Sequence, residues 1–228
     1  MSKDTLFLLS LTVAFPAIAG LIRIRKIEKI YYPFLIYIFV SLVNELLVGL
    51  AVDPLNRAAR TLNWNLFNLF EATVFIVQFY YWRVFDKYKN GFFVLLGLVL
   101  VGWLVENFIV SSIYKFNPVF LIVYSFILVL LSVQTINHII VHQNRTILSR
   151  NTMFIICVAV AIFFTYNIFV FTLQAKGIAK TNKELMTKVF EIRVYINVFT
   201  NLLFGLAVCF MPEKISRKNL FSDAGQKN

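Results

Sequence analysis

Glu45, Glu106 and Asn167 recur 61 residues apart near the same end of three long apolar segments. Apolar lipid is a costly place for such side chains, so acids at membrane depth are candidates for binding an ion, carrying a proton or acting on a substrate. Helical spacing extends the set. Thr61, Asn65, Asn68, Glu71 and Gln78 step by three, four or seven and share one face of a helix, as do Arg193, Asn197 and Asn201 at steps of four. Ser41, Asn44 and Glu45 share a second face, Trp103, Glu106 and Asn107 a third, and Thr165, Tyr166 and Asn167 add another cluster. Glu71 is the most central acid and Arg193 the basic residue deepest in the last apolar segment, so this pair is the first place to look for a site. The expected ligand-binding set is Glu45, Asn68, Glu71, Glu106, Asn107, Asn167, Arg193 and Asn197.

Positioning such a set requires helices that cross a membrane. Of the 228 residues, 60% are hydrophobic and 17% aromatic, and 14% are charged against about 25% in ordinary soluble domains. Apolar runs at 5–22, 31–51, 62–82, 92–111, 117–138, 152–173 and 187–211 are each long enough to cross about 30 Å of hydrocarbon. The expected architecture is all-α, a seven-helix transmembrane bundle over residues 1–213 followed by a polar cytoplasmic tail at 214–228. Prolines mark helix starts at Pro33, Pro54 and Pro118 and the end of the last helix at Pro212. Only Pro16 lies inside a segment, and the Gly/Pro interruptions of transporters with discontinuous helices are lacking, which favours continuous helices. The 61-residue period raises a 1+2+2+2 arrangement of repeated hairpins, although evenly sized helices and loops produce such a period without any repeat.

The net charge of +11 is spread over loops, which argues for membrane orientation and against nucleic acid. Arg23, Arg25, Lys26, Lys29, Arg83, Lys87, Lys89, Arg145, Arg150, Lys214, Arg217, Lys218 and Lys227 fall on one side, and a smaller set on the other. The positive-inside rule then places the N-terminus outside and the C-terminus in the cytoplasm, with Tyr31, Tyr32, Tyr80, Tyr81 and Trp82 as an interfacial belt. Ala17-Ile18-Ala19 imitates a signal-peptide cleavage site, but the basic run after it favours a retained helix. In this topology the polar layer lies in the outer half and opens away from the basic side.

Catalytic motifs are weak. His138 and His142 at i, i+4 lack accompanying carboxylates or cysteines, and there is no HExxH, GxSxG or Walker-type glycine loop. Cys157 and Cys209 read as apolar packers, no metal or cofactor is expected, and no buried lysine in the last helix offers a retinal Schiff base. Three functions stay open. The leading one is a non-enzymatic protein with an outer-facing polar pocket for a small polar or cationic ligand, serving as sensor or transport component with a membrane or cytoplasmic protein partner. The second is an intramembrane lipid-modifying enzyme with Glu71 or Glu106 as acid or base, and the third an accessory subunit whose polar residues set helix packing.

The segments NELL at 44–47, NLFNLFEATVF at 65–75 and ENFIV at 106–110 resemble those of a group of seven-helix bacterial membrane proteins of Bacteroidota type. The resemblance implies a bacterial cytoplasmic (inner) membrane location and carries neither an activity nor a catalytic residue with it.

Overall fold

The computed structural model describes residues 3–49, 57–86, 88, 90–142, 148–176 and 182–214. Expectations resting on Pro54, Lys87, Lys89, Arg145 and the tail beyond Lys214 lie outside these residues. The described chain is helical: α1 (Lys3–Ser10), α2 (Ala14–Arg23), α3 (Tyr32–Leu47), α4 (Arg57–Tyr81), α5 (Gly91–Leu104), α6 (Val119–His142), α7 (Thr152–Ala175) and α8 (Lys183–Phe210). Six spans are long and apolar enough to cross a membrane: Thr5–Arg23, Lys29–Leu47, Gly91–Val110, Val119–Val141, Thr152–Ala175 and Lys183–Phe210. The remaining long helix, α4, has 25 residues and so a length of about 37 Å, but it carries most of the polar side chains of the expected site.

The first span is not one continuous helix. A 3-10 turn at Leu11–Val13 separates α1 from α2. The cause is Pro16, which has no N–H to offer the Thr12 carbonyl. In that turn the Ser10 hydroxyl donates to the Phe7 carbonyl at 2.9 Å and the Thr12 hydroxyl to the Leu9 carbonyl at 2.8 Å. The third of these spans also changes its winding, passing from α5 into a π-helical segment at Val105–Val110. The expectation of uninterrupted helices is corrected at both places.

Helix ends follow local chemistry. Asn151 and Asn182 cap α7 and α8 by accepting from the N–H groups of Phe154 at 3.1 Å and Leu185 at 2.9 Å. Pro33 opens α3, and the orphan N–H of Phe34 donates to the Gln78 side chain at 2.9 Å while the Gln78 amide donates to the Ile30 carbonyl at 2.8 Å. After α4 the chain turns through Arg83 at φ 60°, with Val84 N–H bonding the Phe79 carbonyl at 3.2 Å and Arg83 N–H that of Tyr80 at 2.9 Å. This is a Schellman ending with an arginine at the left-handed position that glycine usually occupies.

The helices form a ring. α2 packs on α3, α3 on α4, α4 on α6, α6 on α7, α7 on α8, and α8 returns to α1 and α2, whereas α5 lies outside against α4 and α6. The expected hairpin pairs α3–α4 and α7–α8 pack closely, whereas the α5–α6 contact is slight and the most extensive contact, α6–α7, joins two different expected pairs. Closure is fixed by Arg23, whose guanidinium donates to the carbonyls of Val208 at 2.7 Å, Met211 at 3.0 Å and also Cys209, capping the C-terminus of α8. One bundle end therefore holds the end of α2 and the end of α8, and the N-terminus lies toward the other. The ring is filled by aromatic side chains, with Phe34 against Phe204 at 5.0 Å and Phe75 against Phe164 at 5.8 Å between ring centroids. Tyr31 and Trp82, expected at the interface, pack edge to face at 6.3 Å with Tyr31 buried, while Tyr80 and Tyr81 are exposed.

Candidate functional site

A cavity of about 190 Å³ lies inside the ring, in the half that contains the N-terminus. Its wall takes Ser10 from α1, Ser41, Asn44 and Glu45 from α3, Asn68 and Glu71 from α4, Tyr124 from α6, Asn167 from α7, and Arg193, Asn197 and Asn201 from α8. Six of the eight residues expected from the sequence, Glu45, Asn68, Glu71, Asn167, Arg193 and Asn197, thus meet around one space.

Glu71 forms the floor and is 5% exposed. One carboxylate oxygen accepts from the Tyr37 hydroxyl at 2.9 Å and the other from Tyr124 at 2.7 Å. Both tyrosine rings are held from behind, Tyr37 against Phe75 at 4.6 Å and Tyr124 against Phe164 at 5.8 Å, so their hydroxyls are aimed before anything binds. Hydroxyl donors on both oxygens are the arrangement that stabilises a carboxylate in a dry interior.

Arg193 forms the opposite pole. Its Nε donates to Asn167 Oδ1 at 2.8 Å, and its guanidinium carbon lies 5.3 Å from the Trp64 ring and 5.2 Å from the Phe171 ring. Such contacts hold a desolvated cation on aromatic faces. Glu71 and Glu45 both act on Arg193 electrostatically, yet no described carboxylate forms an ion pair with it. Arg193 also borders two wider grooves, one of about 570 Å³ beside Lys183, Met186 and Glu191, the other of about 440 Å³ beside Arg60, Phe116 and Gln174.

Glu106 and Asn107 are placed elsewhere. They lie on the π segment that continues α5, outside the ring, and do not border the cavity. The Glu106 carboxylate accepts from the backbone N–H of Val119 at 3.0 Å and of Phe120 at 2.6 Å, neutralising the first turn of α6. Asn107 donates to the Trp103 carbonyl at 3.0 Å, and Trp103 in turn donates to the Asn65 carbonyl at 3.0 Å. The three positions of the 61-residue period therefore do three different things: Glu45 lines the cavity, Glu106 caps a helix and Asn167 orients an arginine.

The polar face of α4 divides in the same way. Asn68 and Glu71 face the cavity, whereas Asn65 donates to the carbonyls of Ile113 at 2.8 Å and Lys115 at 3.2 Å, and Gln78 braces α3 at the other bundle end. Tyr37, Tyr124, Trp64 and Phe171 complete the site and were not among the expected residues. Tyr37 was readable, since it precedes Ser41 and Glu45 at steps of four. Trp64 likewise precedes Asn68 and Glu71 at steps of four and seven, and Phe171 follows Asn167 by four.

No three of the His, Cys, Asp and Glu side chains among the described residues are grouped so as to hold a metal ion, and Cys157 and Cys209 are free thiols. Compared with protein-family models, with curated proteins and with solved structures, the chain matches none of them.

Proposed function

We propose that this is a multi-pass protein of a bacterial cytoplasmic membrane whose polar cavity binds a small polar or cationic molecule, as a sensor or a transport component. One observation carries the reading: charged and amide side chains of four helices, with hydroxyls from two more, converge on one cavity around a carboxylate that two tyrosines hold in place. Packing alone does not require a space lined with ionisable groups, because a buried charge stabilises a fold poorly compared with apolar side chains of similar volume. In this reading α4 is a seventh crossing, protected from lipid by the ring around its polar face, and the basic loops hold the C-terminal end of the bundle in the cytoplasm. The cavity then opens toward the outer side, past Arg193.

Native mass spectrometry of protein extracted gently from its own membrane tests the proposal. Wild-type protein is expected to retain a small molecule that Glu45→Gln releases while keeping its fold. Release of the same bare chain from both, or retention of the same molecule by both, counts against the cavity as a binding site.

A second reading, an accessory subunit, is favoured by the bracing bonds of Asn65, Gln78 and Glu106. It predicts a protein partner that survives extraction, equally in wild type and variant. The enzymatic reading has less support, since both oxygens of Glu71 and both of Glu106 already accept hydrogen bonds from the protein.

A further inference from the structure

The geometry points to a compact zwitterion as the occupant of the cavity, a molecule of amino-acid size whose carboxylate meets Arg193 and whose ammonium group meets Glu45. The inference rests on the ligand-binding reading above and names its chemistry.

Arg193 is fixed at one edge only. Nε is spent on Asn167 and both ring faces are packed, but the two terminal nitrogens have no hydrogen-bond acceptor among the described residues. A planar guanidinium held in this way presents the fork that grips a carboxylate with two parallel bonds. Glu71 is not its partner, because its two oxygens are taken by Tyr37 and Tyr124. Glu45 remains, on α3 in the wall of the same cavity, with the Ser10 hydroxyl beside it. It acts on Arg193 electrostatically without touching it, although opposite charges attract strongly in a medium of low dielectric. A molecule with an acceptor at one end and a donor at the other joins the two poles.

Charge and size narrow the choice. A lone cation would leave the Arg193 fork without an acceptor, and a lone anion would add negative charge beside Glu45 and Glu71. A zwitterion satisfies both poles and brings no net charge into the membrane interior, where each uncompensated charge costs several kcal/mol. A space of about 190 Å³ is well above the roughly 10–15 Å³ that a single water needs, and has room for a molecule on the scale of glycine, alanine or serine.

The test uses the purified full chain in lipid nanodiscs and follows its thermal unfolding. Glycine, L-alanine, L-serine and glycine betaine are compared at millimolar concentration with acetate and methylammonium. At least one zwitterion is expected to raise Tm by several degrees while acetate and methylammonium do not. Arg193→Gln and Glu45→Gln should each weaken that binding by about tenfold or more, the loss of one charged contact. The wild-type comparison decides even where a variant does not fold. Stabilisation by methylammonium that Arg193→Gln leaves intact would overturn the zwitterion and keep the cavity as a cation site. If no probe binds, the zwitterion is likewise overturned; native mass spectrometry then separates a cavity holding another molecule, which retains the ligand-binding reading, from a bare chain, which removes it.

Discussion

Replacing Glu106 with alanine should destabilise the protein without touching its ligand. The carboxylate is 7% exposed and accepts from two N–H groups at the start of α6, one at 3.0 Å and one at 2.6 Å. Hydrogen bonds to a charged group contribute about 1.5–3 kcal/mol each, and a carboxylate at a helix N-terminus adds about 0.3–1 kcal/mol. These contributions overlap, and the two donors differ. The bond from Val119 is part-buried and the bond from Phe120 is buried, so the Phe120 N–H is the one left unpaired at the greater cost. The expected loss is therefore about 2–3 kcal/mol for Glu106→Ala. Glu106→Gln keeps one acceptor oxygen but turns an amide toward the second N–H, and should lose about 1–2 kcal/mol. Unfolding in mixed micelles by titration with sodium dodecyl sulfate measures both, and native mass spectrometry of the same samples reads ligand retention. An alanine variant within about 0.5 kcal/mol of wild type would refute the capping role. So would a variant that keeps its stability and loses its ligand, which would return Glu106 to the binding site.

Two further substitutions test the scaffold. An added Cβ at Gly205 would run into the Phe15 ring across the α2–α8 contact, so Gly205→Ala should cost about 1–3 kcal/mol of stability by the same titration, with Phe15→Ala restoring part of it. Arg83 adopts φ 60° at the end of α4, where a side chain costs about 1 kcal/mol relative to glycine, so Arg83→Gly should raise stability by about that amount.

The helical class was legible because long apolar runs have few other solutions, and six of the seven runs are matched by spans long and apolar enough to cross a membrane. Boundaries were less so. The run at 31–51 yields a helix that begins at Tyr32 because Pro33 can open a helix but not sit within one. Pro16 lay inside a run read as a continuous helix, and its effect on the Thr12 carbonyl four residues earlier depends on backbone bonding that composition does not display. In the site, spacing grouped Asn68 with Glu71 and Arg193 with Asn197, since residues three or four apart on a helix share a face by geometry alone. Spacing could not say which faces meet. Glu106 falls on a face as polar as that of Glu45, yet its helix lies outside the ring, and only packing reveals this. Tyr124 was hidden for another reason. Among so many aromatic residues, a tyrosine whose hydroxyl matters looks the same as one whose ring merely fills space.

The clasp between Arg23 and the end of α8 joins residues 185 and more apart in sequence, and this sets an order of events during biosynthesis. A chain entering the membrane from its N-terminal side presents α1 and α2 well before the carbonyls that Arg23 grips. Arg193, too, arrives only with α8. Throughout translation the first two helices must wait beside α3 with one flank facing lipid, and an apolar environment tolerates that wait because α2 buries no charge of its own before Arg23. The cavity is thus assembled in a single late step, and a ribosome that stalls before the final helix leaves a bundle that spans the bilayer but has no pocket.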